Sequence, residues 1–122
     1  MKHHLLMVDD EAPTRELYSL YLRTHGFDVT TAATAEEALQ LVKKMTFQVC
    51  LLDLGLGPKT DGMDLVEPFK KAQPRMSILI YTGRSFDDSL RDKALKKGAV
   101  GFLSKTQPLD QLLLEIKRNL PG

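Results

Sequence analysis

Residues 47–62, FQVCLLDLGLGPKTDG, set the frame for the rest of the chain. Phe47 to Leu52 is a largely apolar, β-prone run, the composition of a short strand buried on both faces. It ends abruptly in a carboxylate, Asp53, and passes through Gly55, Gly57 and Pro58 to Asp61-Gly62. An acid at the carboxyl end of a buried strand, facing a Gly/Pro-rich loop, is placed for chemistry more than for packing. By itself Asp53 would read as an ordinary solvated loop aspartate. Its company elsewhere in the chain decides otherwise.

Upstream, the apolar run His4–Val8 stops at Asp9-Asp10-Glu11. Pro13 suits the first turn of a helix, Leu17, Leu20 and Tyr21 give that helix an apolar face, and His25-Gly26 ends it. Phe27–Thr31 reads as a second strand. Thr34 and Glu37 form a capping box for a helix burying Ala35, Ala38, Leu39 and Val42. After the Asp53 strand comes a helix from about Met63 to Ala72, which Pro68 should kink or shorten.

Gln73-Pro74 turns the chain into a fourth strand, Ser77–Tyr81, ending in Thr82-Gly83. Ser85 caps the next helix, with Asp87 and Asp88 in its first turn and Lys96 and Lys97 in its last. Its apolar face is little more than Leu90 and Ala94, so it is expected to be loosely held, and Gly98 closes it. Val100–Leu103 is a fifth strand ending in Ser104-Lys105. A final helix presents Leu109, Leu112, Leu113, Ile116 and Leu120.

The bulk numbers exclude several classes. At 122 residues the chain is expected to be one domain with a normal core. A formal net charge of +1 recommends neither nucleic acid nor a membrane as partner. No apolar stretch is long enough to span a bilayer and no signal sequence opens the chain, so a cytoplasmic location is expected. The single cysteine, Cys50, reads as a core residue of a reducing compartment. His3, His4 and His25 are scattered, form no zinc site, and read as surface residues.

Five strand-then-helix units with short connections predict an α/β fold, a doubly wound parallel sheet with helices on both faces. Right-handed crossovers limit the strand orders to a few, and ligands of this class bind beyond the carboxyl ends of the strands. Asp9, Asp10, Asp53, Thr82 and Lys105 all fall at that edge. Two unit charges ~4 Å apart at an effective dielectric near 20 repel by roughly 4 kcal/mol, so such a cluster requires a cation or protons. With few ligands, all of them oxygen, hydrated octahedral Mg²⁺ is the natural choice. A lysine and a threonine beside it supply a point charge and a hydroxyl for phosphoryl oxygens. Carboxylate nucleophile, metal, lysine and threonine together describe phosphoryl transfer to an aspartate.

The Asp-Asp-Glu after strand one, the Asp53 strand with its later Asp-Gly, Tyr-Thr-Gly after strand four and Gly-Phe-Leu-Ser-Lys after strand five resemble a response-regulator receiver (CheY-like) domain. The likeness runs from Leu5 to about Leu120, within a core of about 4–120. It implies strand order 2-1-3-4-5 of the flavodoxin-like kind, with Asp53 as phosphoacceptor from a phosphohistidine on a sensor histidine kinase or phosphotransfer protein. It implies Mg²⁺ held by Asp10, Asp53 and the Gly55 carbonyl, with Asp9 acting mostly through water. Lys105 would pair with the phosphoryl group, and Thr82 would swing toward it while Phe102 turns inward as the switch. That would alter the surface of the fourth helix, fifth strand and fifth helix for a downstream effector or fused output domain. From its residues alone, Phe102 is as readily a core aromatic.

Three features depart from the family pattern. Thr106 stands where proline usually follows the lysine, and the loop from Asp53 to Gly62 is one residue longer than the commonest spacing. Gly55 and Arg84 occupy the positions flanking the phosphoryl group, and together they predict slow self-dephosphorylation. The chain is expected either to act alone or to be the receiver part of a longer protein, and to turn over no separate substrate. Two rivals fit parts of the pattern. One is a degenerate receiver working as an interaction module without phosphorylation. The other is an Mg²⁺-dependent Asp-nucleophile phosphohydrolase, a class that commonly needs a second acid where this chain has Gly55.

Overall fold

Alternation within the apolar runs builds a sheet with two dry faces. In the computed structural model, which describes residues 2–56, 61–83 and 88–121, the strands are β1 (His3–Val8), β2 (Phe27–Ala32), β3 (Val49–Asp53), β4 (Ser77–Thr82) and β5 (Gly101–Ser104). They pair in the order β2-β1-β3-β4-β5, all parallel. The helices are α1 (Ala12–Thr24), α2 (Ala35–Lys44), α3 (Val66–Ala72), α4 (Asp88–Lys97) and α5 (Leu109–Arg118). The expected doubly wound architecture and strand order are what the chain adopts.

Successive side chains of the central strands enter opposite cores. Leu6, Val8, Cys50, Leu52, Ile78, Ile80 and Phe102 meet α2, α3 and α4 through residues such as Val42, Phe69 and Ala94. Leu5, Met7, Leu51, Leu79, Tyr81 and Leu103 meet α1 and α5 through Tyr18, Leu22, Leu112, Leu113 and Ile116. No helix among the described residues is long and apolar enough to cross a membrane.

Local signals place most boundaries. Thr34 Oγ1 accepts from the Glu37 amide at 3.1 Å, and Glu37 reaches back to the Ala33 amide at 2.7 Å. Gly26 and Gly98 follow α1 and α4 with φ of +92° and +119°, a region that glycine enters without strain. Of the described α4 side chains only Ala94 is buried, as its thin apolar face implies. Ser85 and Asp87, expected at the start of that helix, lie outside the described residues.

Several expectations need correction. Leu17 and Leu20 do not face the sheet; they are 54% and 64% exposed, and α1 buries Tyr18, Ser19 and Leu22 instead. The helix is held in that rotation by Arg15, which donates to the Asp9 carbonyl at 2.7 Å, and Arg23, which donates to the Val29 carbonyl at 3.0 Å. Phe47 is buried but precedes β3, which begins at Val49. His4 is half-buried, with its ring 4.6 Å from Phe47 and Nε2 2.7 Å from Thr30 Oγ1. The helix expected from Met63 divides: Gly62–Leu65 is a 3₁₀ turn and α3 starts at Val66. Pro68 therefore sits in the first turn of α3, where its missing N–H leaves no bond unmade.

The segment after β3 folds back on it. Gly55 bridges Asp61, the Gly62 amide donates to the Leu54 carbonyl at 2.8 Å, and Asp61 caps the 3₁₀ turn through the Met63 amide at 2.9 Å. A Cβ on Gly62 would overlap the backbone carbonyl oxygen of Asp53. Backbone cannot yield as a flexible side chain does, so Gly62→Ala should cost about 3 kcal/mol. Urea unfolding at wild-type stability would contradict this close approach.

Candidate functional site

Because every strand runs the same way, their carboxyl ends share one edge. β1 hands over to Asp9, Asp10 and Glu11; β3 ends on Asp53, β4 on Thr82, and Lys105 follows β5. An open cleft of about 360 Å³ lies there, lined by Asp10, Asp53, Gly55, Thr82 and Lys105 among others. A groove of about 390 Å³ at the opposite edge, with Lys43, Lys44 and Arg75 on its wall, contains no carboxylate. Volume does not distinguish the two, and chemistry does.

Lys105 joins the acids. Its Nζ is 3.0 Å from Asp9 Oδ2, 3.1 Å from Asp53 Oδ2 and 3.7 Å from Glu11 Oε1. Its backbone amide donates to the Thr82 carbonyl at 2.9 Å, which ties the β5 exit to the β4 tip. Thr106, in the usual proline position, uses a group proline lacks: its amide donates to Ser104 Oγ at 3.1 Å, and the two hydroxyls are 2.7 Å apart. No peptide bond among the described residues is cis.

Asp9 is wholly buried, Asp53 is 4% exposed and Asp10 is exposed. Asp9 Oδ1 accepts from the Glu11 amide at 2.8 Å, while Oδ2 accepts from Tyr81 Oη at 2.5 Å and from Lys105. Asp53 Oδ1 accepts from the Gly55 amide at 3.3 Å. Asp9 is thus committed to protein donors, which leaves Asp10 and Asp53 facing the cleft.

One carboxylate oxygen from each of Asp9, Asp10 and Asp53 lies within 4.8 Å of the others. Oxygens around one small divalent ion, ~2.1 Å from it, are roughly 3–4 Å apart. The cluster is therefore close to the size of such a coordination sphere, and Asp10, being exposed, has room to close it.

The electrostatics agree. Burial pushes the Asp53 carboxyl above its usual range, the bond and charge of Lys105 pull it back, and Asp9 adds to the rise. Burial opposes the Lys105 ammonium, yet its hydrogen bonds to Asp9 and Asp53 outweigh that and hold its pKa above normal. An ion pair in isolation would lower the acid and raise the base. Here both move upward: burial, with a smaller push from Asp9, outweighs Lys105 at Asp53, whereas at Lys105 the two carboxylates outweigh burial.

Thr82 is buried at the cleft wall. Phe102 stands away from the cleft, paired in register with Ile80 and buried on the α2–α4 side. Arg84 lies outside the described residues. Tyr81 was not among the residues expected at the site. A tyrosine hydroxyl in a buried strand must find a partner, and that signal could have found it.

A family model described as the response regulator receiver domain matches residues 5–117. The alginate biosynthesis transcriptional regulatory protein AlgB of Pseudomonas aeruginosa is 34% identical over 116 residues, 95% of this chain and 25% of that protein. The chain thus spans about a quarter of the length of this curated relative. The receiver domain protein (CheY-like) of Methanospirillum hungatei superposes with a TM-score of 0.89 at 29% identity, covering 97% of this chain and 93% of that one. A response regulator from Burkholderia pseudomallei, whose structure contains a phosphorylated aspartic acid, a calcium ion and citrate, gives 0.86 at 27% identity, covering 96% and 72%.

A group whose folded pKa is raised contributes stability below its unfolded pKa and loses it as pH rises through the folded value. Asp53 is raised, so its ionised form weakens the metal-free fold at neutral pH. Asp53→Asn should raise the midpoint of thermal unfolding without metal by a few degrees. Mg²⁺ should raise the midpoint of the wild type and have little effect on the variant. A lower midpoint for Asp53→Asn without metal would contradict the surplus of negative charge.

Proposed function

The chain belongs to the response regulator receiver domain family, and from that premise we propose that it is a phosphoacceptor switch with Asp53 as the acceptor. The observation that carries the reading is the Lys105 ammonium, 3.1 Å from the Asp53 carboxylate in a cleft where Asp10 and Asp9 converge. An Asp53 oxygen attacks the phosphorus of a phosphohistidine on a sensor histidine kinase or phosphotransfer protein. The O–P bond forms as the P–N bond breaks, and the imidazole nitrogen keeps the electron pair. Nothing but the protein's own side chain is modified.

Each neighbour has a part in this. Lys105 is charged and within reach of the phosphoryl oxygens. Asp10, Asp53 and the Gly55 carbonyl would hold Mg²⁺, with Asp9 behind them, and the ion would offset the charge of the phosphoryl oxygens. Thr82 supplies a hydroxyl at the wall of the same cleft.

The modification adds roughly −1.5 to −2 of charge. Thr82 turns toward it, and Phe102, three residues before Lys105, fills the space released. The element best able to answer is α4, which buries little and so shifts at small cost. Leu95 of α4, Val100 just before β5 and Leu114 of α5 are exposed large apolar residues, of the kind an effector or a fused output domain could cover. The switch operates in the cytoplasm, where Cys50, fully buried and with burial raising its thiol pKa, stays an inert core residue.

Fluoroberyllate, an acyl-phosphate mimic, tests the reading. With Mg²⁺ it should shift the amide NMR spectrum along β4, α4 and β5, and Asp53→Asn should abolish the response. A silent wild type would favour an interaction module independent of phosphorylation. The aspartyl phosphate should also last for minutes or longer, because Gly55 has open space beside it and no side chain to orient a water. Loss within seconds in purified protein would count against that.

A further inference from the structure

Tyr81 carries a hydroxyl where its strand neighbours Leu79 and Ile80 carry only hydrocarbon. Its ring is 1% exposed, in the core beneath α1 and α5, with its centroid 5.6 Å from that of Tyr18. Strand pairing sets it beside Asp53, yet its hydroxyl reaches Asp9, two strands away, and donates to Oδ2 at 2.5 Å. Lys105 Nζ donates to the same oxygen at 3.0 Å and stands 5.0 Å from the centre of the Tyr81 ring. Asp9 Oδ2 therefore has two side-chain donors. One is fixed by packing and the other sits on a long, flexible stem.

We infer that Tyr81 is a positioning residue, whose hydroxyl keeps the buried Asp9 carboxylate satisfied when Lys105 moves from Asp9 toward a phosphoryl group on Asp53. The inference rests on the phosphoacceptor reading and goes beyond it, since it concerns what permits the lysine to leave. Lys105 is shared almost equally between Asp9 and Asp53. A phosphoryl group places new charge outward from the Asp53 oxygen and draws the ammonium after it. Without the hydroxyl, Asp9 would keep the Glu11 amide as its only remaining donor among those described. A buried carboxylate deprived of its partners is costly, so the lysine would be held back.

Tyr81→Phe tests this, because the ring, its packing and its position beneath the ammonium are retained. Fluoroberyllate binding is read by fluorine NMR at saturating Mg²⁺, and metal binding by electron paramagnetic resonance with Mn²⁺. The variant should bind fluoroberyllate about tenfold more weakly, the scale of one lost hydrogen bond to a buried charge, with Mn²⁺ affinity nearly unchanged. In an Asp9→Asn background, with no buried charge to hold, the same change should cost little. In the wild type, independently of any variant, a slowly exchanging Tyr81 hydroxyl proton should persist after fluoroberyllate binds. Unaltered fluoroberyllate affinity in Tyr81→Phe overturns the inference alone. So does a parallel loss of Mn²⁺, an equal loss in the Asp9→Asn background, or disappearance of the hydroxyl proton in the bound wild type. A wild type that binds no fluoroberyllate overturns the phosphoacceptor reading and this inference with it.

Discussion

One ammonium group holds together an edge of the sheet that would otherwise repel itself. Lys105 stands about 3 Å from two carboxylates on strands that are neighbours only through the parallel pairing of β1 with β3. At such distances like charges in a poorly hydrated site repel by several kcal/mol, on the order of a third or more of the net stability of a small domain. A single lysine offsets part of that and leaves the site short of positive charge. This shortage links the fold to its use: the same deficit that weakens the resting protein gives a cation a reason to bind. In the proposed switch, a phosphoryl group on Asp53 would also give the lysine a reason to move.

The scaffold meets the cost through burial elsewhere. β1, β3 and β4 are apolar on both faces, so the sheet cannot slip by one residue without driving Asp9 or Asp53 into a core. Gly62 presses against the Asp53 backbone and Lys105 is tied through its amide to Thr82, so carboxylate and counter-charge are both fixed from behind. Rigidity is concentrated under the site, and the loosely packed α4 lies beyond it. In the proposed switch a change of charge at the edge would therefore be met by movement at the helix and not by disruption of the strands.

Most of the fold was legible because buried parallel strands leave unbroken apolar runs, and the runs of β1, β3, β4 and β5 end at a charged or hydroxyl residue. Asp9, Asp10, Asp53, Thr82 and Lys105 could be collected at one edge before any coordinate was known, since parallel topology leaves them nowhere else to go. The face of α1 was not legible. Leu17-Leu20-Tyr21 and Tyr18-Tyr21-Leu22 are both plausible stripes at helical spacing; the helix packs Tyr18 and Leu22 into the core, with two arginine bonds to carbonyls six residues away beside them. The role of Pro68 depended on a 3₁₀ turn ahead of it, and a count of apolar positions does not register such a turn. Tyr81 was hidden for a related reason: its ring satisfies the pattern of a buried strand, and only its hydroxyl takes part in the site.

The central claim is that Asp53, and no other acid, is the nucleophile in a site neutralised by Lys105 and a divalent cation. The most direct measurement is intact and peptide mass spectrometry after incubation with acetyl phosphate and Mg²⁺, with the acyl phosphate trapped by borohydride. The account predicts one phosphoryl group per chain, dependent on Mg²⁺, and a reduced residue mapping to Asp53 alone. Trapping at Asp9 or Asp10, or no adduct under conditions where Mg²⁺ is bound, would contradict it.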